Sequence, residues 1–175
     1  EKAYYCGLSK GGMVGQKLAT RNPERLHAAV FCATSSYMGP ANLWQQRIDA
    51  AQAGGMKSVS EGTLERWFTP NYHSSHASEI AKIREMIHAT PVDGFAGCCI
   101  AIKDMDQRET IKTIDIPVLV IAGAEDPGTT PAMNKLIADS IPGAEYVELP
   151  DSAHFCNVQA TDGFNNALAD FLLKH

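Results

Sequence analysis

At residues 3–13 the sequence reads AYYCGLSKGGM, in which an apolar run leads into a serine flanked by glycines. Gly7, Ser9 and Gly11 match the G-x-S-x-G pattern, a sharp strand-to-helix turn that exposes a serine hydroxyl above a sheet. Such a turn strains the serine backbone and leaves little room for side chains two residues away, which glycine tolerates. The pattern predicts that Ser9 is a nucleophile; the alternative is a glycine-rich turn with a surface serine.

The carboxylate that such a serine requires is predicted at Asp126. A serine hydroxyl becomes a good nucleophile when an imidazole accepts its proton and a carboxylate orients that imidazole, in the chain order Ser, Asp or Glu, His. Asp126 follows the apolar run 117–123, at the carboxyl end of a predicted strand, where parallel sheets carry functional groups. Glu125 and Asp106 are the alternatives.

The predicted base is His154, which follows the strand-like residues 145–149 and precedes an amphipathic helix. The chain has six histidines, and a histidine is more often solvated or hydrogen-bonded than catalytic. Only His154 has both the required position and the required order. The others are His27, His73, His76, His88 and His175.

Four apolar stretches have the composition of strands that are buried on both faces, which predicts a parallel sheet covered by helices. They are residues 3–8, 28–33, 118–123 and 145–149. Helical periodicity accompanies them over residues 12–21, 131–140 and 161–173. The sequence therefore predicts an α/β fold.

Residues 36–115 contain no strand-like run and form too long a stretch for a simple connection. Helical periodicity appears over residues 43–53, 59–67, 79–89 and 94–105. We interpret this region as a helical cap above the serine, inserted into a core formed by residues 1–35 and 116–175.

The predicted cap contains residues that suit a substrate pocket. Trp67, Phe68 and Met56 are candidates for its walls, although at helical spacing such residues are more often plain core. Arg47 or Arg66 could pair with a carboxylate on the substrate, although a surface arginine is usually only solvated.

Composition argues against several classes of partner. The formal net charge of −5 and the pI near 5.6 do not suit a nucleic-acid or anionic-membrane surface. No apolar run reaches the roughly 18 residues of a transmembrane helix. We expect a small-molecule substrate, no nucleic acid and no membrane.

The five cysteines include no Cys-x-x-Cys pair, so the sequence suggests neither a disulfide framework nor a zinc site. Cys6 and Cys32 fall in predicted strands, where a buried thiol packs as a small hydrophobe. Cys98 and Cys99 have apolar neighbours and are expected to pack rather than react. We expect a reducing, cytoplasmic location and no metal or cofactor.

Several stretches together resemble the α/β-hydrolase family. They are GLSKGGM at 7–13, NPER at 22–25, AGAED at 122–126 and AH at 153–154. Two more, ERWFTP at 65–70 and GCC with DMD within 97–106, are similar to the 3-oxoadipate enol-lactonases of aromatic-compound catabolism.

The resemblance implies hydrolysis of an enol-lactone to 3-oxoadipate in the β-ketoadipate (protocatechuate) pathway, with Ser9, Asp126 and His154 as the catalytic triad. It also implies that the backbone N–H of Lys10 is an oxyanion donor. Many relatives carry an apolar residue at this position, but only the amide would be used. A carboxylesterase, a carbon–carbon-bond hydrolase and a cofactor-free haloperoxidase would use the same triad.

The sequence departs from the family before the nucleophile turn. The family has several strands, two helices and a loop there, and that loop supplies the second oxyanion donor. We therefore expect the N-terminal part of the sheet to be absent and the isolated chain to be inactive. The missing part of the enzyme, or a second copy, would be its partner. An inactive interaction domain is the alternative.

Overall fold

The computed structural model describes residues 1–175. The chain folds into two compact units, one formed by residues 1–36 with 106–175 and the other by residues 37–105. The second unit is shorter than the expected segment 36–115.

The segment 106–115 belongs to the first unit because its side chains are anchored there. Ile111 is fully buried in the core of that unit. The side-chain amide of Gln107 donates to the carbonyl of Met13 at 3.0 Å. Apolar burial and a buried hydrogen bond thus fix the boundary at Asp106.

The first unit contains a four-stranded sheet in the order β1-β2-β3-β4. Every neighbouring pair is parallel, as predicted. The strands are β1 (Ala3–Leu8), β2 (Leu26–Cys32), β3 (Val118–Gly123) and β4 (Glu145–Leu149). β2 ends one residue before the predicted end because Ala33 adopts a positive φ of 42°, which breaks the extended conformation.

The prediction that all four strands are buried on both faces is correct for β2 and β3 and wrong for β1 and β4. Tyr4 in β1 is 48% exposed, and Glu148 in β4 is also exposed. These strands form the two edges of this sheet and are therefore less covered than the central pair.

Nine α-helices accompany the sheet. They are α1 (Lys10–Arg21), α2 (Ala41–Gly54), α3 (Lys57–Trp67), α4 (Pro70–Ser75), α5 (Ala77–His88), α6 (Val92–Lys103), α7 (Pro131–Ser140), α8 (Cys156–Gln159) and α9 (Thr161–Lys174). Short 3-10 turns occupy Pro23–Arg25 and Thr110–Thr113.

Side chains that alternate along the central strands form two cores. Phe31 and Val120 point to one face of the sheet, where they pack with Ile137 of α7. Val30 and Ile121 lie in the core of the other face, which includes apolar residues of α9. The sheet is therefore covered by helices on both faces, as the sequence predicts.

In the second unit α2 packs against α6, and Ile48, Ala96 and Cys99 form a small buried cluster. α2, α3, α5 and α6 correspond to the predicted helices, and each begins two residues before its predicted start. Apolar periodicity marks the buried positions of a helix. It does not mark the first turn, whose N–H groups have no hydrogen-bond acceptor within the helix. α4 has no counterpart among the predicted helices; Thr69 caps it by accepting from the Tyr72 amide at 3.3 Å.

All five cysteines are free thiols. Cys32, Cys99 and Cys156 are buried, but Cys6 is exposed, so the expectation of a buried Cys6 is wrong. Its strand, β1, lies at the edge of the sheet. None of the helices combines the length and hydrophobicity required to cross a membrane.

Candidate active site

Ser9 connects β1 to α1 in a strained conformation, with φ 56° and ψ −117°. A non-glycine residue in such a region costs about 1–3 kcal/mol and needs support from its surroundings. The Ser9 amide donates to the Cys32 carbonyl at 2.8 Å, and the Thr34 hydroxyl donates to the Ser9 carbonyl at 2.7 Å. The predicted strain is therefore present, and the end of β2 holds it in place.

The crowding around this turn differs from the prediction at one glycine. A Cβ on Gly7 would lie 2.5 Å from the backbone of Gly11, so only glycine fits there. A Cβ on Gly11 would meet no atom within 4 Å, so the expectation that Gly11 is needed for space is wrong. The second crowded position is Gly12, where a Cβ would lie 2.7 Å from the Thr34 side chain.

Lys10 is the first residue of α1, with an exposed side chain. Its amide lies in the first turn, where the partial positive charge of a helix amino end favours an anion. This first turn contains no acidic residue that would counter the effect. The role of Lys10 as an oxyanion donor stays a prediction.

His154 lies between the side chains of Ser9 and Asp126. Its Nε2 is 2.8 Å from the Ser9 Oγ, and its Nδ1 is 2.7 Å from the Asp126 Oδ2. The structure thus brings together the three residues that the sequence singled out at three strand ends. An ionised carboxylate requires a proton on Nδ1, which leaves Nε2 to accept the hydroxyl proton of Ser9.

The rival acids and bases lie elsewhere. Glu125 points to solvent, and Asp106 is an exposed residue that pairs with Arg108 at 2.5 Å. Of the other histidines, His27 packs on Tyr4 in the first unit. None of them is hydrogen-bonded to Ser9 or Asp126.

The carboxylate of Asp126 is buried and fully hydrogen-bonded. Its Oδ1 accepts from the amides of Gly128 and Thr129 at 2.8 and 3.0 Å, and its Oδ2 accepts from the Thr129 hydroxyl at 2.6 Å. Burial alone would raise the pKa of Asp126, but the hydrogen bonds from His154 and Thr129 outweigh it and lower the pKa. The group therefore stays ionised beside the imidazole at neutral pH.

The loop that carries His154 is fixed against the end of β3. The amide of Glu125 donates to the Ser152 carbonyl at 2.9 Å, and the amide of Ala124 donates to the Leu149 carbonyl at 2.9 Å. These backbone bonds join the segments that hold the acid and the base. His154 is itself buried.

Three residues in the hydrogen-bond network behind Ser9 and Asp126 were not singled out from the sequence, namely Thr34, Thr129 and Asn134. All three are polar and almost completely buried: Thr34 bonds to the Ser9 backbone, Thr129 to the Asp126 carboxylate, and Asn134 to the backbones of both threonines. A sequence signal existed for Thr129 alone, because Thr129-Thr130-Pro131 marks the start of a helix. It indicated a cap and not a contact with the carboxylate.

The predicted pocket residues all lie in the second unit. Met56 and Phe68 are buried there, and Trp67 is half-buried at the end of α3. Arg47 covers the ring of Trp44 at 4.5 Å, while Arg66 is half-buried. Burial and the nearby charge of Arg47 both lower the pKa of Arg66. Whether these residues line a pocket stays a prediction.

No group of three or more His, Cys, Asp and Glu side chains is arranged to hold a metal ion. The arrangement around Ser9 has instead the geometry of nucleophilic acyl transfer, with nucleophile, base and acid in one hydrogen-bonded row.

No family model matches the sequence. The chain is 34% identical over 167 residues to 3-oxoadipate enol-lactonase 2 of Acinetobacter baylyi, covering 95% of this chain and 62% of that protein. Among solved structures, the enol-lactonase of Burkholderia xenovorans is 37% identical with a TM-score of 0.96, and a hydrolase of Pseudomonas aeruginosa is 40% identical with a TM-score of 0.94.

Both solved structures align with 98% of this chain, while the chain spans only 66% and 64% of their respective lengths. The likeness therefore covers both units described above, and it covers less than two thirds of each relative.

Proposed function

The chain belongs to the α/β-hydrolase superfamily, and we propose that it acts as a serine hydrolase with a Ser9–His154–Asp126 triad. The single observation that carries the proposal is the row of hydrogen bonds of 2.8 and 2.7 Å on the two sides of the His154 ring. Neither a surface serine nor a purely structural histidine requires that alignment.

In the proposed reaction, Nε2 of His154 takes the proton of Ser9 as its Oγ attacks a carbonyl carbon. The Asp126 carboxylate stabilises the resulting imidazolium. The backbone N–H of Lys10 is proposed as one donor to the oxyanion. The tetrahedral intermediate then expels its leaving oxygen, which receives the proton from His154, and an acyl-enzyme remains.

Water completes the cycle. His154 deprotonates a water molecule, the hydroxide attacks the acyl carbon, and Ser9 leaves with the proton that His154 returns. The enzyme is regenerated and the substrate has gained one water molecule.

We propose an enol-lactone as the substrate, with 3-oxoadipate as the product in the β-ketoadipate pathway. The support is the likeness to two enol-lactonases, at 34% and 37% identity. With this substrate the leaving group is an enol that stays tethered to the acyl group and then becomes a ketone. Opening of the lactone ring therefore does not require the enzyme to expel a small, unactivated alcohol.

The second unit is proposed as the cap that selects the substrate, with Trp67, Met56 and Phe68 as the wall residues. Arg66 takes part in no salt bridge, and the charge of Arg47 is close enough to lower its pKa. The charge of Glu65 acts on Arg66 in the opposite sense, but neither arginine is in a salt bridge with a carboxylate, and two neighbouring arginines of this kind favour an anionic ligand. We therefore propose that the substrate bears a carboxylate.

The 175-residue chain by itself is proposed to have little or no hydrolase activity. Loss of one oxyanion donor costs about 10²–10³ in kcat, and Lys10 supplies one donor. We propose that a second donor lies outside these residues, so that the isolated chain turns over slowly or not at all.

The free state of all five cysteines supports a reducing, cytoplasmic location.

The test uses the protein as its gene encodes it, with Ser9→Ala, His154→Ala and the wild type. The substrates are 3-oxoadipate enol-lactone, p-nitrophenyl acetate and a vinylogous diketone. We expect the lactone to be preferred and both substitutions to lower kcat by several orders of magnitude. Preference for the ester or diketone would redirect the proposal to an esterase or a carbon–carbon-bond hydrolase. Near-normal turnover by either variant would refute the triad.

A further inference from the structure

Asn134 lies in the first turns of α7 and is completely buried. Its Oδ1 accepts from the Thr34 amide at 2.9 Å. Its Nδ2 donates to the carbonyls of Thr129 and Thr130 at 2.8 and 3.1 Å. One small side chain thus connects the residues after β2 with the segment that follows Asp126.

The orientation of this amide is fixed by its partners. The Thr34 N–H is a donor and must face the oxygen of Asn134, while two carbonyl oxygens must face its nitrogen. A flipped amide would oppose donor to donor and acceptor to acceptor. An aliphatic side chain at this position would leave buried backbone groups unpaired.

Both ends of the Asn134 bridge continue to the reacting groups. On one side the Thr34 hydroxyl donates to the Ser9 carbonyl at 2.7 Å. On the other side Thr129 donates its backbone amide to the Asp126 Oδ1 at 3.0 Å and its hydroxyl to the Asp126 Oδ2 at 2.6 Å. Because His154 joins Asp126 to Ser9, these contacts close a ring through the protein.

We propose that Asn134 is a positioning residue, which sets the separation between the Ser9 turn and the Asp126 loop so that His154 can bond to both. The inference rests on the proposed function, because it concerns the same triad. Asn134 touches neither Ser9, His154 nor Asp126. It acts through Thr34 and Thr129, because its side chain is hydrogen-bonded to the backbones of both. Thr34 and Asn134 are 100 residues apart in the sequence.

The expected consequence is a loss of catalytic rate that exceeds any loss of folding. A displacement of about 1 Å in a catalytic group can cost about 10²-fold in rate. Without the Asn134 bridge, the Asp126 loop loses its direct side-chain connection to Thr34, and the backbone ladder between β2 and β3 alone connects it to the end of β2. The Asp126 carboxylate then holds the imidazole of His154 in a wider range of orientations.

The first experiment compares Asn134→Ala with Gln16→Ala in the full protein, at a temperature where circular dichroism shows both variants folded. Gln16 is a matched control, since it is also a completely buried amide, but its bond of 3.3 Å runs to the Ser35 carbonyl and not to the acid loop. We expect Asn134→Ala to lower kcat about 10²-fold with KM nearly unchanged. The kcat of Gln16→Ala should stay within about threefold of the wild-type value. A packing loss away from the reacting groups lowers the stability of the fold and not the catalytic rate.

The second experiment repeats the Asn134→Ala substitution in an Asp126→Asn background, with an activated ester as substrate. Once the carboxylate is gone, the imidazole is no longer oriented by it, and a residue that acts through Asp126 should lose its effect. We expect the factor caused by Asn134→Ala to fall from about 10² towards 1. A merely structural role would give the same factor in both backgrounds.

Three results would overturn the inference: a folded Asn134→Ala variant with wild-type kcat, an equal loss in Gln16→Ala, or an unchanged factor in the Asp126→Asn background. If Asn134→Ala does not fold, Asn134→Ser, which retains a small polar side chain, goes through the same cycle. Full activity of Ser9→Ala would instead contradict the proposed function. The two failures are therefore distinguishable.

Discussion

Gly123, at the end of β3, passes so close to Ala153 that a Cβ at residue 123 would lie 2.1 Å from the Ala153 carbonyl oxygen. Ala153 immediately precedes His154, and Gly123 lies three residues before Asp126. The close approach of these two backbones therefore sets how near the base and the acid can come.

The first prediction concerns this contact. Gly123→Ala must push the Ala153 segment away, because the obstructing atoms are backbone and cannot rotate aside. We expect a destabilisation of about 1–3 kcal/mol in urea unfolding and a kcat at least 10-fold lower. The control is Gly97→Ala in α6, where a Cβ would meet no atom within 4 Å. Wild-type kcat in Gly123→Ala would contradict this account of the close approach.

A second prediction separates the strain at Ser9 from its chemistry. Ser9→Ala and Ser9→Gly both remove the hydroxyl, but only glycine adopts a φ of 56° without steric cost. We expect Ser9→Gly to be more stable than Ser9→Ala by about 1 kcal/mol, with both variants inactive. Thermal denaturation of the two proteins measures the difference. Equal stabilities would mean that the turn is not strained at this residue.

The third prediction concerns the pKa of Asp126. The folded-state pKa lies below the unfolded value of about 3.9, so the carboxylate stabilises the fold above that pH. This stabilisation is lost as the pH falls through the folded pKa. Thr129→Val removes the hydroxyl donor, raises the folded pKa and so reduces the stability lost on acidification.

Urea unfolding between about pH 3 and 6 measures this effect, because the range spans the unfolded pKa of aspartate. Thr129→Ser keeps the hydroxyl and should retain the wild-type pH dependence. Thr130→Val is the control for a lost helix cap, since Thr130 accepts from the Met133 amide and does not contact Asp126. Identical pH profiles for Thr129→Val and Thr129→Ser would exclude the Thr129 hydroxyl as a cause of the lowered pKa, since both variants keep the backbone amide bond.

A fourth prediction tests the anionic substrate. Arg66→Gln should raise KM for the carboxylate-bearing enol-lactone about 10-fold or more, because a charge-assisted hydrogen bond is worth about 1.5–3 kcal/mol. KM for neutral p-nitrophenyl acetate should not change. Arg108→Gln, which breaks a pair with Asp106 in the first unit, is the control. A parallel rise for both substrates would indicate damage to the helical unit.

The sequence predicted most of the fold because apolar periodicity and strand ends are local properties. The runs that became β1, β3 and β4 have the predicted bounds, and the order Ser, Asp, His identified the three residues that meet. The burial of the two outer strands could not be predicted, since it depends on which strands lie beside them.

Long-range polar contacts were also beyond the sequence. Asn134 looks like a polar residue on an amphipathic helix, and nothing near it in the chain indicates that its partner is the Thr34 amide. Gly11 shows the opposite error. The motif implied crowding at Gly11, but whether a Cβ meets a neighbour depends on the atoms opposite, and the crowded glycines are Gly7 and Gly12.

Labelling with a fluorophosphonate, followed by mass spectrometry to locate the modified residue, tests the proposed triad itself. The reagent reacts with a serine only when a base activates the hydroxyl, so it reports the Ser9–His154 pair without a choice of substrate. We predict a single adduct on Ser9, formed at least 10²-fold more slowly in His154→Ala. An adduct on another residue, or labelling of Ser9 at the same rate in His154→Ala, would contradict the account.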